Sequence, residues 1–287
     1  MRHLRSILST LAILLAAFAT HAADGDSIVR PVNAAYMAEY GAASLLDTYL
    51  TPIRYKGWHV RLGYERNQAM RFSPRKWLMQ MSFGVRYDNV ENIVKNRTMH
   101  SLMVDFNWGM MHRWRDVASV KGLQLMAGGS TLFDGGATYN QYNSNNPVSV
   151  KIRWSVNLTG MAVYNMNIGK LPLTLRYQAT IPVAGLFFSP EYGEAFYEIY
   201  LGNTCSLVNF GWWGNRFDMT NLLTADLHFG ATSLRIGYHN TIENSWVHNL
   251  NTQVTTHSLV IGVVGEWMSI NPRREINHNA KIIPALY

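Results

Sequence analysis

From Trp58 to Trp267 the chain alternates apolar and polar positions in blocks separated by turn-forming residues. In Trp77–Tyr87 the odd positions are Trp77, Met79, Met81, Phe83, Val85 and Tyr87, while the even ones are mostly small or polar. Successive side chains of a strand point to opposite faces, so each block predicts a strand with one greasy and one polar face. A soluble sandwich buries such a greasy face against a second sheet, whereas a membrane barrel turns it to lipid. The aromatics decide between the two. Trp77 and Tyr87 share a face ten residues apart, as do Trp154 and Tyr164. Ten residues rise ~34 Å along a strand, a height of ~25 Å at ~45° of tilt. That is the height of the lipid-facing band of an outer-membrane barrel, with an aromatic at each interface.

The pattern predicts strands at 33–41, 55–68, 76–88, 99–111, 120–131, 148–164, 171–181, 217–230, 232–241 and 253–268. An even count suits a bacterial single-chain barrel. A further hairpin at 195–201 and 206–212 would raise ten strands to twelve, and both counts stay open. With a periplasmic N-terminus, the short links 69–75, 112–119, 165–170 and Gly230-Ala231 fall inside. The longer links 42–54, 89–98, 132–147, 182–216 and 242–252 fall outside, the asymmetry expected of such barrels. The fold class is therefore all-β: an antiparallel transmembrane β-barrel of 10–12 strands with a long inward-folding loop.

Composition sharpens the location. Arg2, His3 and Arg5, the apolar run Ile7–Phe18 and the small residues to Ala23 read as a signal peptide cleaved near Ala22. The expected organisation is 1–22 signal peptide and 23–287 barrel domain, with 33–268 as barrel and 269–287 as a periplasmic tail. The only cysteine, Cys205, admits no intrachain disulfide and reads as an ordinary loop thiol. The formal net charge is +7, but no basic run carries interleaved aromatics, so nucleic acid is not an expected partner. Outer-membrane lipid or lipopolysaccharide is a better use of that charge, and barrel-assembly machinery is implied during biogenesis.

The polar face supplies the candidate site. Its lumen-lining residues are Arg61, Arg86, Asp105, Arg153, Arg176, Asp226, His228, Arg235, His239 and Glu266, spaced by inward glycines such as Gly84 and Gly237. They form either an ion-paired filling of a narrow lumen or a pore lining with a positive bias for small polar or anionic solutes. The 182–216 connection holds Phe188, Glu191, Tyr192, Tyr197 and Glu198. Exposed loops rarely carry so many aromatics, so residues 185–200 are expected to constrict the mouth or else to add wall strands. No catalytic residue, metal ligand or cofactor is assigned. His100-Ser101 and His257-Ser258 point to opposite faces of a strand, and no His-x-Ser occurs. The leading reading is a channel, uptake or structural envelope barrel; the alternative is a lipid- or lipopolysaccharide-modifying enzyme.

Two stretches also carry a resemblance. Leu46–Pro52 with Tyr55–Trp58, and Phe188–Gly193 with Phe196–Tyr200, Gly202 and Asn203, resemble an uncharacterised family of Bacteroidota outer-membrane β-barrels. That resemblance implies compartment and fold, and brings no activity or catalytic residue.

Overall fold

The alternating blocks fold into long strands because their aromatic and β-branched side chains fit a pleated surface. The computed structural model describes residues 28–143, 146–202, 206–230, 232–267 and 281–286. The expected leader, Cys205 and Ala231 lie outside the described residues. The strands are β1 (Ile28–Val29), β2 (Val32–Asp47), β3 (Thr51–Ala69), β4 (Trp77–Glu91) and β5 (Thr98–Arg115). Next come β6 (Leu123–Asn140), β7 (Val148–Ile168), β8 (Leu171–Phe188) and β9 (Val208–Trp212). The last are β10 (Arg216–Phe229), β11 (Thr232–Val247), β12 (Leu250–Trp267) and β13 (Lys281–Ile282).

From β2 to β8 each strand pairs antiparallel with the next; β8 then pairs with β10, and β12 returns to β2. This closes a barrel of ten wall strands. The open choice between ten and twelve resolves as ten, because β9 pairs with β8 as a side arm of the circuit. The other half of the supposed hairpin is a helix, α1 (Phe196–Tyr200), whose first turn is held by Glu198 Oε2 accepting from the Ala195 amide at 2.8 Å.

Burial is inverted relative to a soluble protein. Leu259 and Leu62 are 70% and 66% exposed, whereas Arg235 and Arg176 are 0% and 1% exposed. Only a barrel facing lipid satisfies both that surface and its own backbone. Aromatic belts ring the apolar band. Tyr40, Trp58, Tyr87 and His100 follow one another at ring separations of 6.5, 5.8 and 6.0 Å toward the loop end. Tyr36–Tyr64 and Trp77–His112, at 5.1 and 5.2 Å, lie toward the end that carries the termini.

Several strand ends differ from the sequence expectation. Strands β2, β6, β8 and β11 run on to Asp47, Asn140, Phe188 and Val247, so the links after β2 and β11 are short turns and not long loops. The inward/outward alternation continues through these extensions, and cross-strand pairing stabilises them. The tail also returns to the barrel. Lys281–Ile282 pairs in parallel with Ile28–Val29, and Ala285 and Leu286 pack against Leu78, Met111, Met126, Met161 and Val163 at the terminal end.

Candidate functional site

Every lumen-facing arginine of the middle barrel meets a carboxylate from a wall strand. Arg61 on β3 donates to Glu39 Oε1 and to Asp105 Oδ2, both at 2.9 Å, joining β2, β3 and β5. Glu39 also receives His239 Nδ1 at 2.7 Å. Arg86 reaches Glu243 at 3.2 Å and Asp88 at 3.3 Å. Arg153 pairs with Asp134 and, at 2.5 Å, with Asp218, which Arg216 shares at 2.7 Å. Lower down, Arg176 donates to Glu65 at 2.6 Å, and Arg235 chelates Asp226 at 2.7 and 2.8 Å. Bidentate, charge-assisted pairing of this kind is what lets so many charges be buried together.

One inward glycine serves these charges directly. A Cβ on Gly84 would stand 2.5 Å from Arg61 Cζ and 2.6 Å from Asp105 Oδ1, so only glycine admits the Arg61–Asp105 pair. At Gly128, Gly237 and Gly262 the inward glycine instead marks a neighbouring backbone, since a Cβ there would meet the carbonyl oxygens of Met110, Leu223 and Tyr36.

The structure brings Arg61, Arg86, Asp105, Arg153, Arg176, Asp226, Arg235 and His239 into neighbouring ion-pair clusters that fill one luminal layer after another. His228 lies below them, and Glu266 sits at the exposed rim of β12, apart from them. Of the two readings of the lumen, the geometry matches the ion-paired filling and not the positive bias. Among the described luminal ion pairs, Arg61, Arg86, Lys151, Arg153, Arg176, Arg216 and Arg235 face nine carboxylates. The net +7 of the chain is therefore not carried by the lumen. Asp134 and Glu243 fall in stretches read as loops; following the inward parity past the expected ends of β6 and β11, at 131 and 241, would have found both.

Between these pairs lies a cavity of about 160 Å³ lined by Glu39, Arg61, Arg86, Asp134 and Glu243. Ligand pockets usually run ~300–1,000 Å³, so this space suits a few waters or a small ion.

The two ends are occupied. At the loop end the inward side chains Leu45, Tyr55, Val90, Met99 and Val254 form an apolar cluster with Tyr49 and Leu50 of the β2–β3 turn. Phe196 of α1 packs on this cluster, 6.1 Å from the Tyr49 ring, and Tyr49 donates its hydroxyl to the Glu194 carbonyl at 2.7 Å. Burial, with Glu194, Asp47 and Glu198 nearby, pushes the Tyr49 phenol up to about 12, so it stays protonated and donating at ordinary pH. The long connection thus covers part of the mouth within the expected span 185–200, through Glu194 and Phe196 and not through the five residues singled out from it. Glu191, Tyr192, Tyr197 and Glu198 are exposed, and Phe188 ends β8; Glu194 and Phe196 face the barrel. The luminal arginines are answered by wall carboxylates and not by Glu191 or Glu198. At the terminal end Arg113 donates to the carbonyls of Pro284 and Ala285 at 3.1 and 2.6 Å, and Gln124 donates to that of Leu286 at 3.3 Å.

Closed circuit, apolar exterior and ion-paired interior define a ten-stranded transmembrane β-barrel whose lumen is filled by its own side chains. The chain belongs to the family described as Protein of unknown function (DUF3316), whose model matches residues 6–274. No curated protein matches it. Among solved structures it is similar to the transport unit of the autotransporter AIDA-I from Escherichia coli, at 8% identity and TM-score 0.47, covering 88% of this chain and 92% of that one. It is also similar to the outer membrane protease OmpT from Escherichia coli, at 5% identity and TM-score 0.42, covering 83% and 96%. An outer membrane channel from Pseudomonas putida F1 matches at 9% identity and TM-score 0.35, covering 86% and 100%.

Proposed function

We propose that this protein is an outer-membrane barrel that is closed at rest, a structural envelope barrel and not a standing diffusion pore. The observation that carries the reading is the return of the tail. Arg113, 3% exposed, is held by the Pro74 and Arg75 carbonyls and donates its Nη1 to both the Pro284 and Ala285 carbonyls, which fixes Leu286 in the terminal mouth. With the ion-paired middle and the Phe196 cap, this leaves a chamber and no through-channel of solute size. The carboxylate surplus also argues against an anionic solute. In planar bilayers the full-length protein is expected to carry no steady current. Removing residues 283–287 is expected to give fluctuating, cation-selective currents, read from the reversal potential in a salt gradient. A steady current through the full-length protein would sink this reading.

One couple favours a second reading, acyl hydrolysis of a lipid. Ser233 Oγ lies 2.6 Å from His228 Nδ1, and His228 Nε2 lies 2.8 Å from Thr174 Oγ1. Thr174 gives its proton to Asn165 Oδ1 at 2.7 Å, so its oxygen accepts the Nε2 proton and leaves Nδ1 to take the serine proton. A serine beside an oriented histidine is the arrangement of an activated nucleophile. Ser233 sits directly across from His228 on the β10–β11 hairpin, a pairing that a search along single strands misses. A fluorescent fluorophosphonate is expected to label Ser233 under this reading and to fail on His228→Ala. An unlabelled, folded wild-type barrel would remove it.

A further inference from the structure

The wall is continuous except at one seam. β8 and β10 keep register over eight residue pairs, from Leu173↔Leu227 to Thr180↔Thr220. Other neighbouring wall strands keep it over fourteen to seventeen. Eight pairs at ~3.4 Å span ~27 Å, a height of ~19 Å at ~45° of tilt, short of the ~25 Å apolar band. The pairing therefore runs out inside the membrane, on the side of the loop end.

The sequence causes the break. Pro182 has no amide proton to give to a ladder, and Val183 is left without a partner on β7, because Asn157 pairs with Pro182 and Val156 with Ala184. This bulge turns β8 away from β10 and toward β9, whose Val208–Trp212 pairs only with Phe188–Ala184 among the described residues. Trp213 Nε1 donates to the Pro182 carbonyl and holds the bend.

A small cavity of about 10 Å³, room for about one hydroxyl group, lies at this place between lipid-facing and luminal side chains. Its lipid side is formed by Trp154, Trp212 and Trp213, which are 37%, 57% and 58% exposed. Its luminal side is formed by Phe187, Arg216 and Asp218. The Arg216 guanidinium lies 5.1 Å over the Phe187 ring and closes the luminal side of this cavity. Asp218 is 6% exposed, and its Oδ2 holds both Arg153 and Arg216 while its Oδ1 lacks a hydrogen-bond partner. A buried carboxylate oxygen without a donor costs free energy until one arrives.

The geometry points to a lateral binding site at the β8–β9/β10 seam for a single-chain amphiphile with a neutral, hydroxyl-bearing head, such as a monoacylglycerol. The chain lies among the tryptophans at the level of the aromatic belt, where lipid chains meet headgroups. A head hydroxyl donates to Asp218 Oδ1. The two arginines beside Asp218 disfavour an ammonium head, and the Asp134, Asp218 and Glu243 carboxylates disfavour an anionic one. This inference does not depend on closure of the two mouths.

A photoactivatable diazirine analogue of 1-monooleoylglycerol, incorporated into vesicles that carry the folded full-length chain, tests it. Cross-links are expected at Phe187 and Arg216, which face the lumen beyond reach of the surrounding bilayer. Gly211 supplies the blocking variant, because a Cβ there would stand 3.2 Å from the Phe187 ring and 3.5 Å from Arg216 Cδ. Gly211→Val is expected to lose the luminal cross-links while keeping those at lipid-facing Ile152 and Leu259. Should that variant not fold, Trp213→Ala at its exposed position is expected to weaken the luminal cross-links by removing the apolar wall. Cross-links confined to lipid-facing residues would overturn the proposal, as would luminal cross-links that neither substitution changes. Equal luminal cross-linking by a diazirine oleic acid, which carries an anionic head on the same chain, would overturn the head-group assignment.

Discussion

Replacing Glu65 by Ala is expected to destabilise the barrel by about 3–5 kcal/mol, the cost of leaving a buried charge without its partner. Glu65 is 3% exposed and stands between Arg176 and Arg235, 2.6 Å from one and 3.6 Å from the other. Arg235 keeps Asp226 after the substitution, so Arg176 is the group left stranded. Urea unfolding in detergent, followed by tryptophan fluorescence, measures the change. Replacing Glu65 together with Arg176 by apolar residues of similar volume is expected to cost far less, because no uncompensated charge remains. If Glu65→Ala alone lowers stability by under ~1 kcal/mol, the pair is solvated and water fills the lumen around it.

The second large effect lies on the opposite face. Val156→Arg on β7 is expected to cost about 2–4 kcal/mol, since Val156 is 45% exposed on the lipid side between the two belts. Thr241→Arg is the matched control. Thr241 lines the inner chamber, two residues from both His239 and Glu243 on the same face of β11, where carboxylates outnumber cations. An arginine there gains partners in place of hydrocarbon. The two variants are compared by refolding titration into lipid vesicles; equal penalties would mean that the facing of the strands is wrong.

The facing itself was legible from residue types alone. Trp154 and Tyr164 do share the exposed face of β7, and Arg153 and Asn157 the interior one, because a two-residue period admits only two faces. The membership of the luminal network followed for the same reason. Arg61, Arg86, Asp105, Arg153, Arg176, Arg235 and His239 all stand where their parity put them. Who pairs with whom was not legible. The Arg176–Glu65 bond joins residues 111 apart in sequence, and the Arg86–Glu243 bond residues 157 apart. Such partners depend on the shear and diameter of the closed barrel, which no single strand encodes.

The ends of the elements show the same division. Asp134 and Glu243 belong to strands although glycine and asparagine nearby argue for loops, because pairing with β7 and β10 outweighs weak local propensity. The tail Ile283–Leu286 has no periodicity to read; it is placed by the donors of Arg113 and Gln124 and by the apolar rim it covers. Pro182 gave a local signal of broken pairing, but the seam exists only because β10 must meet β8 from the far side of the connection through residues 189–215. The alternation of residue types thus determined the class of fold, the lipid face and the inventory of the lumen, since these depend on period alone. Closure of the circuit decided the ion-pair partners, the filled mouths and the one interrupted wall, because each needs groups from distant strands to meet in space.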